Sequence, residues 1–285
     1  MDATNDEWAR QDAYGVRFEW GPSGARRLAP WVACLVVVDV LSFTTAVDVA
    51  VTGGARVLPY AWRDDSAAAY AEERDAALAV GRGAVSEENP WSLSPATLRR
   101  ADLPPRLVLP SPNGSTIAAA APEGVEVVAA CLRNAPAVGS WLTDEGYGTP
   151  ARPVGVIASG ERWPDGELRP ALEDLLGAGA VIAALGARDG VSPEGPATRD
   201  GLSPEGPATR DGLSPEGPAA RDGLSPEARA ARAAFVGTAD VPAAVRAGVS
   251  GRELVEYGFP QDVELAVELG SSASVPVMRD GAFTA

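Results

Sequence analysis

The chain has 285 residues and a formal charge of −15, from 24 basic and 39 acidic side chains, with no histidine. Every basic residue is an arginine, which excludes a histidine base or metal ligand, a Schiff-base lysine and the phosphate lysine of a Walker loop. The acidic balance also argues against nucleic acid or an anionic membrane as a partner, since either requires a basic face.

An apolar content of 46% suits a globular enzyme with an ample core. The start, MDATNDEWARQDAYG, is too polar and acidic for a signal peptide, and the longest apolar run, residues 31–38, is too short to span a bilayer. Cys34 and Cys131 lie inside apolar runs, as buried reduced thiols do. Neither begins a C-x5-R phosphatase loop, because Val40 and Ala137 stand where the arginine would be. A cytoplasmic location is expected.

Along the chain, residues 31–39 (WVACLVVVD) form a β-branched apolar run of the kind buried on both faces of a parallel sheet. A helix follows, beginning near Ser42 and stopped by Gly53-Gly54. Residues 56–59 predict a second strand and residues 64–80 an amphipathic helix. Residues 107–110 are a third strand, leading through SPNGST into an Ala-rich helix that ends before Pro122. Residues 125–131 and 154–158 are a fourth and a fifth strand, each followed by a helix, the later one reading RPALEDLLGAGAVIAAL. Short helices and a last strand at 274–278 complete the chain. This alternation predicts an α/β fold with a mostly parallel sheet and flanking helices.

Four copies of an 11-residue unit interrupt the pattern: DGVSPEGPATR, DGLSPEGPATR, DGLSPEGPAAR and DGLSPEARAAR. The first three are too rich in Pro and Gly, and too poor in apolar residues, to offset their ordering entropy. The fourth loses its second Gly-Pro and reads as a helix start, with Ser225 as N-cap, Pro226 at the first position and Glu227 in the first turn. The expected organisation is one α/β domain, in one or two lobes, built from residues 1–188 and 222–285, with a disordered insert at 189–221. Deleting 189–221 is expected to leave thermal stability and activity nearly unchanged; a marked fall in either would show a structural role.

In an open α/β sheet, ligands bind beyond the carboxyl ends of the strands. Asp39, Ser42, Thr44 and Thr45 follow the first strand, and Ser111, Asn113, Gly114, Ser115 and Thr116 the third. Arg133 and Asn134 follow the fourth, and Ser159, Gly160, Glu161, Arg162 and Asp165 the fifth. Three of these turns open helices with small polar or glycine residues, so their free N–H groups favour an anion. Asp39 sits at the lip of the core, and Glu173-Asp174 lies in an otherwise apolar helix, where paired acids are costly unless neutralised. A Mg²⁺ ion on oxygen ligands would neutralise them. An anion site beside a cation site points to metal-assisted chemistry on a phosphate ester.

The segments VVVDVLSFTTAV, LPSPNGSTIA, CLRNAPAV, ASGER with LRPALEDLLGAGAVI, and DVELAVEL with VPVMRDG resemble, in order, the 2-phosphosulpholactate phosphatase family. The resemblance implies the α/β fold of that family and a Mg²⁺-dependent phosphomonoesterase acting on a small phosphorylated, sulphonated hydroxy acid, a step of coenzyme M biosynthesis. One departure stands out: family members commonly carry Arg-Ala where this chain has Ser42-Phe43, so a guanidinium is missing there.

The expected metal ligands are Asp39, Glu173 and Asp174, with Asp39 or Glu161 activating water. Thr44, Thr45, Asn113, Gly114, Ser115, Arg133 and Asn134 are expected to grip the small anionic phosphate ester. An aspartyl-phosphate route is disfavoured, because it recruits a lysine and a second Asp where Leu41 stands. The alternative is a non-catalytic anion-binding or regulatory paralogue of the same fold. Whether the chain forms a homo-oligomer is left open.

Overall fold

The computed structural model of the chain describes residues 7–61, 65–186 and 223–285. In chain order the first half holds β1 (Val16–Trp20), α1 (Gly21–Leu28), β2 (Cys34–Val38), α2 (Phe43–Thr52), β3 (Arg56–Tyr60), α3 (Asp65–Glu73), β4 (Ala77–Leu78), α4 (Pro95–Leu98), β5 (Arg106–Pro110) and α5 (Gly114–Ala118). There follow β6 (Glu126–Ala130), α6 (Ala135–Asp144), β7 (Val154–Ala158), a short hairpin of β8 (Glu161–Arg162) and β9 (Leu168–Arg169), and α7 (Leu172–Leu185). Last come α8 (Pro226–Gly237), α9 (Val241–Ala247), α10 (Val249–Glu256), α11 (Pro260–Ala266), β10 (Val277–Arg279) and β11 (Ala282–Thr284).

The main sheet has the order β1-β7-β2-β6-β10-β11-β3-β5-β4. β1, β7, β2 and β6 are mutually parallel, as are β3, β5 and β4, and the antiparallel hairpin β10–β11 joins the two sets. The three antiparallel steps from β6 to β3 set the halves in opposite directions. Their carboxyl ends nevertheless meet, because Gly114 after β5 donates its N–H to Asp39 after β2 at 3.0 Å. The sheet therefore bends at the hairpin, where single pairs (Val277 with Val128, Phe283 with Val57) hold the halves together.

The period-two alternation of each strand sorts the core into layers. Val36 and Val38 of β2 face a cluster with Leu142 of α6 and Val181 of α7. Leu35 and Val37 face a second cluster that includes Val47 of α2, Ile117 of α5, and Leu107 and Leu109 of β5. That second cluster lies between the two halves of the bent sheet, and Phe43, fully buried, packs there edge-on to Phe283 at 6.3 Å.

The parallel α/β expectation holds, and four details differ. The helix expected at 64–80 stops at Glu73: Asp75 adopts a left-handed φ of 49°, and Ala77 and Leu78 pair with Leu107 and Val108 of β5. Alanine favours helix, so here the pairing with β5 overrides local propensity. The strand expected at 274–278 lies at Val277–Arg279 and turns back through Asp280-Gly281, with φ of 51° and 75°, into β11. An Asp-Gly pair is a hairpin signal of this kind. β1, on the sheet edge, and the β8–β9 hairpin also add strands that the periodicity did not single out. Where the repeat ends, the Ser225 side chain accepts from the Ala228 N–H at 3.1 Å above Pro226, as expected for a helix start. The insert at 189–221 lies outside the described residues.

Candidate active site

Asp39 leaves β2 just as the chain enters the first turn of α2. Its Oδ1 accepts from the Phe43 N–H at 3.1 Å, its Oδ2 from the Gly114 N–H at 3.0 Å, and the Ser159 hydroxyl lies 3.5 Å from Oδ2. The first N–H groups of two helices, α2 and α5, thus converge on one carboxylate. The SPNGST turn does hold an anion, and that anion is Asp39 itself. Gly114 is required for this approach, since a Cβ there would fall 2.2 Å from the Phe43 ring and 2.9 Å from Asp39 Oδ2.

Asp174 is clamped the same way, accepting from the Val40 N–H at 2.7 Å and the Gly160 N–H at 2.8 Å. Burial still pushes its carboxyl up, helped by Glu173 and Asp39 and opposed by those two N–H groups. Burial likewise raises Glu173, against the Ser250 hydroxyl and Arg169. Glu161 receives the Asn113 side-chain amide at 3.1 Å. Burial, reinforced by Asp39 and Glu173 and opposed by Arg169, pushes its carboxyl up to about 7.

Asp39 and Glu161 open onto a cavity of about 240 Å³ whose walls include Ser42, Arg82, Ser111, Asn113, Arg162, Arg169, Ser250 and Glu253. Three arginines therefore face the two acids. Arg169 donates to Glu253 of α10 at 3.0 Å and Arg162 to the Gly166 carbonyl at 3.2 Å. Arg82 donates to the Ser42 hydroxyl at 2.6 Å. A guanidinium is thus present beside Ser42, brought by a residue 40 positions further along the chain. The sequence reading missed Arg82, which reaches the site from a distant loop, and Arg169, which the β8–β9 pairing sets opposite Glu161. Arg162 appeared only among the strand-end residues.

The other expected ligands divide. Asn113 lines the cavity, and Gly114 serves it through Asp39. Thr44 and Thr45 are fully buried and return their hydroxyls to the Asp39 and Val40 carbonyls at 2.8 and 2.7 Å, so neither reaches an anion. Ser115 is buried, with its hydroxyl 3.4 Å from the Leu109 carbonyl. Asn134 accepts from the Cys131 N–H and donates to the Ala129 and Ser274 carbonyls, locking the β6–α6 turn to the segment that leads into β10. Arg133 pairs with buried Asp48 of α2 at 2.9 Å and with Glu268, away from the cavity. An arginine and an asparagine after a strand read as ligands from sequence, but inner-facing carbonyls and a buried acid claimed them first.

The expected metal set changes for a similar reason. Among the described residues, no three of the Asp, Glu and Cys side chains stand together as a metal cage. Both Asp174 oxygens are taken by backbone N–H groups, and neither Glu173 nor Asp174 lines the cavity. Asp39 does line it, beside Glu161. That suits Mg²⁺, which commonly takes only one or two carboxylates and completes its shell with water and substrate phosphate.

Thiol chemistry is absent from the site. Cys34 and Cys131 are free and buried, and burial pushes the Cys131 thiol up to about 12. The profile of the 2-phosphosulpholactate phosphatase family matches residues 25–281. The chain belongs to that family. A search of the curated proteins found no match. The family span takes in every residue that lines the cavity, while β1 lies before it. It also runs through the insert, so the repeat interrupts a family domain. No helix among the described residues is long and apolar enough to cross a membrane.

Proposed function

We propose that the chain is a phosphomonoesterase that hydrolyses a small phosphorylated hydroxy acid, 2-phosphosulpholactate or a close relative, with Mg²⁺ held at Asp39. One observation carries the reading: an N–H-clamped carboxylate and a carboxyl raised to about 7 share one small cavity with three arginines. A group titrating near neutrality is suited to take a proton from water, so Glu161 acts as general base, oriented by the Asn113 amide. Arg82, Arg162 and Arg169 bind the anionic groups, and their charge offsets the negative charge of the chain where the substrate enters. When bound, the cation would neutralise charge on the phosphoryl oxygens. Glu173 and Asp174 serve from behind the cavity, Asp174 by fixing the backbone at Val40 and Gly160. Free, buried thiols accord with a reducing compartment, and we place the protein in the cytoplasm.

Phosphate release from a panel of phosphorylated hydroxy acids, with and without Mg²⁺, tests the proposal. Turnover that depends on Mg²⁺ supports it. Retained phosphate binding with no turnover on any substrate would instead identify an anion-binding paralogue.

The Glu161→Gln variant is expected to lower kcat by about 10²- to 10⁴-fold. As a base Glu161 works deprotonated, so the wild-type rate should rise with pH through about 7, and the variant should lose that rise. The stability effect has the opposite sign. A carboxyl raised on folding binds more protons in the folded than in the unfolded state between its ordinary value and about 7, so its contribution to stability falls as pH rises through that window. Glu161→Gln is therefore expected to melt higher than wild type above pH 7. A pH–rate profile shared by both proteins would remove Glu161 from the reaction.

A further inference from the structure

Arg82 opens a short 3-10 turn, Arg82–Ala84, between β4 and α4, and reaches sideways to two distant elements. Its Nε donates to Asp262 Oδ2 of α11 at 2.9 Å, and its Nη2 to the Ser42 hydroxyl at the start of α2 at 2.6 Å. The Phe259 ring lies 5.5 Å from Cζ. Asp262 is almost wholly buried, and its other oxygen accepts from the Ser94 hydroxyl at 2.5 Å and the Ala96 N–H at 3.1 Å. The acid is thus fixed from three sides and in turn fixes the fork of the guanidinium. Among the described residues, Nη1 of Arg82 has no hydrogen-bond acceptor, although the side chain lines the cavity that holds Asp39 and Glu161.

We infer that Arg82 is the anchor for the non-reacting acid group of the substrate, and that Asp262 is its positioning residue. This rests on the proposed phosphatase reading for the identity of the reacting group. The division of labour follows from where the arginines are tied. Arg169, bound to α10, acts on Glu161 and so belongs to the wall where water is activated and phosphate must lie. Arg82, bound to α11 and to Ser42, enters from the β4–α4 side. A cavity of about 240 Å³ is small enough for one ester to touch both walls. A guanidinium pinned at Nε and one Nη presents its remaining N–H groups in a fixed direction, which favours a planar or trigonal acid group over a loosely held counter-ion.

The test compares ligands with and without a second acid group. Arg82→Gln is expected to reduce kcat/KM for 2-phosphoglycolate at least about tenfold more than for phenyl phosphate, with the difference in KM. In calorimetric titrations its Kd for phosphonoacetate, which cannot be hydrolysed, should rise about tenfold or more, against a much smaller change for methylphosphonate. Asp262→Asn should show the same selective rise at reduced size. Arg82→Lys, which keeps the charge and loses the fork, should fall between wild type and Arg82→Gln and serves if the glutamine variant does not fold.

Equal losses on both kinds of ligand, or no loss on either, would overturn the anchor. If wild type hydrolyses neither ester nor any phosphorylated hydroxy acid of the panel, the phosphatase reading fails. The phosphonate titrations then still decide the role of Arg82, by a selective loss or an unselective one.

Discussion

Replacing Asp39 with asparagine is expected to lower turnover by about 10³-fold, the loss typical when a preorganised electrostatic group is removed from a reacting centre. The geometry makes this substitution more than a loss of charge. Oδ1 and Oδ2 each receive a backbone N–H, from Phe43 and Gly114. An amide has one carbonyl oxygen, so its NH₂ must face one of those donors and leave it unpaired at the mouth of a helix. The cost of a buried unmet donor is about 1–3 kcal/mol. A lower melting temperature should therefore accompany the loss of rate. Phosphate release at saturating substrate and Mg²⁺, measured on protein shown by thermal unfolding to be folded, separates the two effects. A folded Asp39→Asn variant as active as wild type would remove Asp39 from both the metal and the chemistry.

The prominence of Asp39 was legible in the sequence because it terminates an apolar run, and a charge at that position has few ways of being satisfied. The way it is satisfied was hidden. Backbone N–H groups leave no trace in composition, and the donors that hold Asp39 come from residues 4 and 75 positions away. SPNGST was readable as a turn that a carboxylate or phosphate could approach, but that Asp39 takes its Gly114 N–H depends on a sheet that bends back on itself. A flat open sheet would have kept the ends of β2 and β5 far apart.

The arginines show the same limit from the other side. Arg133 stood at a strand end and read as a ligand, while Arg82 stood in a loop of Gly and Ala with no motif around it. Their roles were exchanged by partners that only the fold supplies: buried Asp48 for one, Asp262 and the Ser42 hydroxyl for the other. The parallel strands and the helix start at Ser225 needed no such long-range knowledge. Apolar periodicity and cap chemistry act within a few residues, and at those elements the reading held; at 64–80 it did not, because pairing with β5 is a long-range contact.

Arg133→Ala is accordingly expected to act on stability rather than on substrate. The pair with Asp48 is nearly closed to solvent, with side-chain exposures of 8% and 0%. Removing one partner of such a pair leaves a buried charge uncompensated, at a cost of about 3–5 kcal/mol. Asp48 keeps its 2.6 Å hydrogen bond from the Ser272 hydroxyl, which neutralises none of its charge. Adding Asp48→Asn to an Arg133→Met background should recover part of the loss, because the amide needs no counter-charge and can still accept from Ser272. Chemical denaturation of the single and double variants measures both quantities. KM for the phosphate ester, determined on the folded protein, should stay within about twofold of wild type, since no ligand contact is removed. A large rise in KM with little loss of stability would return Arg133 to the substrate site and break the assignment of the anion-binding role to Arg82, Arg162 and Arg169.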